Sequence, residues 1–84
     1  MKYRVFWEPH AESQLERILS ERADQTRIVA AARAVDGQLI TAPLEFGESR
    51  FDTVRIGFER PLGVLYDVLD DVRTVIVYEV WFIE

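Results

Sequence analysis

The chain has no cysteine. A disulfide framework and a thiolate metal site are therefore both excluded, and a reducing compartment fits best. Glycine and proline are scarce, at 4 and 3 residues. The glycines, Gly37, Gly47, Gly57 and Gly63, never fall in a phosphate-cradling loop or a nucleophile elbow, which removes those enzyme classes. The one histidine, His10, opens a helix with only Glu12 and Ser13 as local partners. It reads as a solvated helix-end side chain, because a general base needs an orienting group. No zinc-ligand spacing is present, so neither metal nor cofactor is expected. Long apolar runs are missing as well. Before Glu8 the apolar stretch is three residues, far short of a signal peptide, and nothing approaches the ~18 residues of a membrane span. The expectation is a cytoplasmic protein with no membrane partner.

Positive charge is also in short supply. Ten Lys and Arg oppose 15 Asp and Glu, a net charge of −5. The imbalance lies wholly in residues 44–84, where four arginines face nine acidic residues; residues 1–43 carry six of each sign. A nucleic-acid binder concentrates cations on one face, since phosphate neutralisation supplies most non-specific affinity. This chain does the opposite.

What the sequence does have is apolar content, 49% of 84 residues with 12% aromatic. That excludes a disordered chain and is enough for one core, so residues 1–84 read as a single domain. Residues 2–8 alternate as a strand covered on one side, with Tyr3, Val5 and Trp7 on one face and Lys2, Arg4, Phe6 and Glu8 on the other. Pro9 ends it and suits the first helical position. Ala11, Leu15, Ile18 and Leu19 then form one helical face. Asp24 is placed to cap a second helix with Ile28, Ala31, Ala32 and Val35 as its buried stripe and Gly37 as its left-handed stop. Residues 39–52 read as the longest loop. Residues 53–58, 62–69 and 73–83 read as strands joined by Glu59-Arg60-Pro61 and by Asp70-Asp71, where Asp tolerates the positive φ of a tight hairpin. The predicted fold class is α+β in the order β-α-α-β-β-β: two helices on one face of a mostly antiparallel four-stranded sheet.

Arg50, Arg55, Arg60 and Arg73 are candidates for an anion-reading cluster, guanidinium being suited to bidentate phosphate contacts. The competing reading is surface pairing, with Glu48, Asp52, Glu59 and Asp71 each within two residues of one of them. Tyr66 and Tyr78 alternate with core positions and read as packed rings with wet hydroxyls ahead of proton donors. Trp7 reads as core. In Val80-Trp81-Phe82-Ile83 the apolar groups point to both faces of a strand, and two helices cover only one. Trp81, Phe82 and Ile83 are therefore candidates for a partner or dimer surface, against a strand end tucked beneath the helices.

The element order, together with three stretches, resembles the RelE/ParE toxin superfamily of bacterial type II toxin–antitoxin and plasmid-stabilisation systems, over essentially the whole chain. The stretches are Tyr3 to Trp7 leading into Ala11 and Leu15; Pro43 to Gly47-Glu48-Ser49-Arg50; and Pro61 to Val68 followed by Asp71 to Val77 and Val80-Trp81. The resemblance implies a RelE/ParE-like fold, a cognate antitoxin and a role in growth regulation. Members that cut messenger RNA on the ribosome use basic residues, helped in some by Tyr, His or Glu. Here that would fall to Arg50, Arg55 and Arg73. The arginine those toxins place three residues before the third-strand tyrosine is Gly63 in this chain, and their basic or aromatic C-terminal segment corresponds to Trp81-Phe82-Ile83-Glu84. Losing one oriented transition-state group costs about 10²–10³ in rate, so losing two leaves little nuclease activity. Three readings stand: a toxin acting on a protein, as in the gyrase-poisoning ParE branch; a ribosome-dependent endoribonuclease; and a non-toxic homodimeric or regulatory interaction module on the same fold.

Overall fold

A computed structural model describes residues 2–83. The chain runs β1 (Arg4–Trp7), α1 (Pro9–Glu21), α2 (Gln25–Thr41), α3 (Pro43–Phe46), β2 (Glu48–Phe51), β3 (Val54–Glu59), β4 (Leu62–Leu69), a 3₁₀ turn (Asp70–Val72) and β5 (Thr74–Phe82). The sheet order is β1-β5-β4-β3-β2. β1 pairs parallel to β5, and the remaining neighbours are antiparallel. The sheet is thus five-stranded and mixed, where the sequence reading gave four mostly antiparallel strands. Two strands far apart in sequence become neighbours because α1, α2 and the meander form a long crossover between them.

The core lies between one sheet face and the helices. Tyr3, Ala11, Ile18, Ile28, Ala31, Val35 and Leu39 meet Leu62, Val64, Tyr66, Val68, Val75, Val77 and Val80. The alternation expected in residues 2–8 holds: Tyr3 is buried, while Arg4, Phe6 and Glu8 are exposed. Beyond Trp7 the short β1 no longer flanks β5. Gln14 of α1 supplies the missing acceptor, its Oε1 taking the Val80 N–H at 2.9 Å.

Three local expectations are corrected. Gly37 does not stop α2, and among the described residues no glycine has positive φ. Four further helical residues bury Leu39 completely, a gain of about 2 kcal/mol that outweighs the ~1 kcal/mol cost of a helical glycine. The helix ends instead at Ala42 (φ −148°, ψ 58°), which Pro43 forces out of the helical region. The supposed long loop holds α3 and β2. Pro43 starts α3 and Gly47 ends it, so a stretch lacking periodicity still forms two short elements. At the β4–β5 connection the positive φ, 50°, belongs to Arg73 and not to either aspartate. Asp24 does hold the N-cap position, but its side chain makes no capping bond and pairs instead with Arg27 at 3.3 Å.

Candidate functional site

Pairing register determines which side chains share the sheet face turned away from the helices. One row runs Phe6, Ile76, Asp67, Val54; the next Glu79, Leu65, Ile56, Glu48; the third Trp81, Gly63, Phe58. Among the described residues no helix covers this face. Phe6 is 53% exposed, Phe58 57% and Phe51, opposite Val54, 64%. By strand spacing and rise the apolar patch is roughly 20 Å by 16 Å, a scale at which contiguous apolar surface is often functional. Its charges are chiefly Asp67, Glu79 and Glu48, with Arg4 at the edge row beside Thr74.

The arginines are dispersed. Arg55 faces the helix side, and its Nη2 donates to the carbonyls of Leu44 (2.8 Å) and Gly47 (2.7 Å), tying α3 to β3. Arg73 donates from Nη1 to the Tyr3 hydroxyl at 2.8 Å and pairs with Asp70 at 3.6 Å, so its acidic neighbour is Asp70 and not Asp71. Arg50 is exposed at the β2 bulge, lining a cleft of about 380 Å³ with Phe46, Gly47, Glu48, Ile56, Gly57 and Phe58. Arg55 and Arg50 are on adjacent strands. Arg73 lies two strands from Arg55 and four residues beyond its row, a Cα separation on the order of 16 Å. The fold does not gather the three around one point.

Tyr66 is fully buried, and its hydroxyl donates to the Pro43 carbonyl at 2.7 Å. Burial raises its pKa, with Arg55 and the Gly47 backbone pulling the other way. The Tyr3 and Tyr78 pKa values are raised first by the hydrogen bonds to Asp70 and Asp67, whose carboxylates favour a protonated phenol. A folded-state pKa above the unfolded value of about 10 means the folded chain holds its proton longer. Stability from these tyrosines is complete below pH 10 and declines as pH rises beyond it. Denaturant midpoints measured from pH 8 to 11 are expected to fall above pH 10, and Tyr78→Phe flattens part of that fall.

Trp81 lies on the open face across Gly63, where an added Cβ would come within 2.6 Å of the indole, and meets Phe58 edge-on at 6.3 Å. Phe82 turns to the helix side and is capped by the Arg22 guanidinium, 3.7 Å from the ring centroid. The Ile83 N–H donates to the Pro61 carbonyl at 2.7 Å. The three residues chosen from sequence are thus divided, with Trp81 on the open face and Phe82 on the covered one. Sequence reasoning missed Phe6, Ile56, Phe58, Leu65 and Ile76 as one surface; the available signal was that β4 and β5 are apolar on both faces, while β3 alternates Val54, Ile56 and Phe58 against Arg55, Gly57 and Glu59. Among the described residues no three His, Asp or Glu side chains converge as a metal site, and no helix is long and apolar enough to cross a membrane.

Neither a family model nor a curated protein sequence matches the chain. Solved structures do. A chain of the toxin–antitoxin complex RelBE2 of Mycobacterium tuberculosis superposes with a TM-score of 0.81 at 19% identity, covering 98% of this chain and 92% of that one. The isolated RelE toxin of E. coli gives 0.70 at 16% identity over 98% and 85%. The chromosomal ParDE toxin–antitoxin system of P. aeruginosa gives 0.64 at 17% over 98% and 97%. These superpositions give the chain the fold seen in those RelE and ParE toxin–antitoxin structures.

Proposed function

We propose that the protein is the toxin-like component of a bacterial type II toxin–antitoxin pair and acts by binding protein, with the open sheet face as its contact surface. The fold shared with RelE and ParE structures supports the toxin-like role, and the antitoxin-bound state of two of those neighbours supports a cognate antitoxin partner. The observation that carries the protein-binding reading is the open face itself: Phe6, Ile76, Leu65, Ile56, Trp81 and Phe58 set among Asp67, Glu79 and Glu48. Such a surface gains free energy by burying apolar area and repels a phosphate backbone. Arg55 and Arg73 each hold internal partners, which leaves them poorly placed to stabilise a scissile phosphate.

The test is induced expression in a bacterial host, with and without the gene adjacent to this one. Growth arrest with intact messenger RNA, relieved by the adjacent gene, is the expected result. Messenger cleavage that depends on Arg50 or Arg55 would replace this reading with the ribosome-dependent ribonuclease, and unaffected growth would replace it with a non-toxic module. Phe58→Asp is expected to abolish the arrest while lowering the melting temperature by under about 5 °C, since an exposed side chain contributes little to folding. Trp81→Ala is likewise expected to weaken the partner complex more than the fold.

A further inference from the structure

The third row of the open face is built unlike the other two. Trp81 of β5 pairs with Gly63 of β4, which pairs in turn with Phe58 of β3. Gly63 has no side chain to hold the indole off: a Cβ there would lie 2.6, 2.7 and 2.8 Å from Cε2, Nε1 and Cζ2 of Trp81. A point that close to three bonded ring atoms, with the middle one nearest, lies over the ring face. The indole therefore lies across β4 with its other face turned outward. Phe58 stands against it, the two ring planes at 83° and the centroids 6.3 Å apart. Floor and wall form an aromatic corner open to solvent, since Phe58 is exposed and Trp81 only partly buried. Glu79, two residues before Trp81 on the same face of β5, is roughly 7 Å away by strand rise. Glu48 ends that adjacent row on β2. Among the described residues no ion pair engages Glu79 or Glu48.

We infer that this corner seats an arginine side chain of the partner protein, an assignment that rests on reading the open face as a protein-contact surface. The face of an aromatic ring is electronegative and attracts a cation, and two rings at right angles present one such face below the cation and one beside it. Rings of this chain already hold guanidinium groups elsewhere: Arg22 lies 3.7 Å from the Phe82 centroid and Arg73 lies 5.0 Å from that of Tyr3. Arginine suits the corner better than lysine. Its guanidinium is planar, stacks flat on an indole and is less strongly hydrated than an ammonium, while its N–H edge stays free for a carboxylate. Glu79 is that carboxylate. Glu48 shares its cleft with Arg50, which competes for it, whereas Glu79 has the apolar Leu65 as its cross-strand neighbour. A second copy of the chain is a poorer occupant, because face-to-face contact would set Asp67, Glu79 and Glu48 against their own counterparts.

The probes are the blocked tripeptide acetyl-Leu-Arg-Leu-amide and its counterparts with lysine or citrulline at the centre; citrulline keeps the planar shape and removes the charge. Each is titrated against isotope-labelled protein while the Trp81 indole Nε1–H resonance is followed, assigned by its loss in Trp81→Leu. The arginine peptide is expected to saturate, with lysine about threefold weaker and citrulline at least about fivefold weaker. Glu79→Gln is expected to cost about two- to threefold, and Glu21→Gln, the same charge change at the end of α1, less than about 1.5-fold. Phe58→Leu keeps apolar bulk and removes the wall; Gly63→Ala keeps both rings and lifts the indole from its floor. Each, shown to be folded by its thermal melt, is expected to lose about threefold or more. Citrulline or lysine binding as tightly as arginine, equal losses in the two glutamate variants, or undiminished affinity in Phe58→Leu would each overturn the proposal. The growth test reads the contact surface as a whole. Arrest without arginine preference sinks the corner alone, and arginine preference without arrest sinks the toxin reading alone.

Discussion

Tyr66→Ala is expected to destabilise the domain by about 3–5 kcal/mol, which for a chain of this size leaves it largely unfolded at 37 °C. The ring is fully buried at the centre of β4, with Arg55 and Val77 as its cross-strand neighbours, and Phe46 of α3 packs against it at a centroid distance of 6.0 Å. Removing it opens a cavity that strands on both sides prevent from collapsing. Tyr66→Phe isolates the hydroxyl. It removes the bond to the Pro43 carbonyl and is expected to cost about 1–2 kcal/mol. Urea melts of the three proteins check both steps. A Tyr66→Phe protein that keeps its stability yet loses an activity would instead give the hydroxyl a chemical role, contrary to its reading as a packing group.

The difference between what the sequence disclosed and what it concealed follows the kind of interaction involved. Elements defined by one apolar face against one polar face were readable: α1 through Ala11, Leu15 and Ile18, and β1 through Tyr3 and Val5. β2 carries no such contrast, since all four of its residues are exposed and it is held by edge pairing to β3, an interaction that leaves no mark on side-chain pattern. The parallel partnership of β1 and β5 was hidden for a related reason. Register between strands some seventy residues apart depends on the path of the helices and not on either strand's composition.

The candidate surface was half legible. Trp81 stood out because apolar residues on both faces of a terminal strand demand cover on both sides. Phe6 was assigned to the face with Lys2 and Arg4, which is correct, but its alignment with Ile76 follows only from the parallel pairing that local pattern cannot supply. The dispersal of Arg50, Arg55 and Arg73 was equally out of reach. Sequence proximity suggested aspartate and glutamate partners, whereas the strongest acceptors for Arg55 are the backbone carbonyls of Leu44 and Gly47. Backbone acceptors occur at every residue and give no signal by type.

Gly47→Ala is the second large effect, and it tests the same junction from its opposite side. Gly47 has φ −117° and ψ −178°, extended backbone that alanine adopts without strain, so any loss must come from contact and not from conformation. An added Cβ would lie 2.4 Å from the Ile56 carbonyl oxygen and 2.7 Å from the Tyr66 hydroxyl. The first neighbour is backbone in the middle of β3, bound on both sides by β2 and β4, and it cannot swing aside as a side-chain tip would. Relief requires the α3–β2 junction to move outward, which lengthens the bond from Arg55 to the Gly47 carbonyl and disturbs the hydroxyl that anchors Pro43. A loss of about 2–3 kcal/mol is expected, or a melting temperature lower by about 8–20 °C. Because both changes act through the Tyr66 hydroxyl, the Gly47→Ala penalty should shrink in a Tyr66→Phe background, by about 0.5 kcal/mol or more. Strict additivity in that double-mutant cycle would place the clash at the Ile56 carbonyl alone and sever the proposed coupling between α3 and the centre of the sheet.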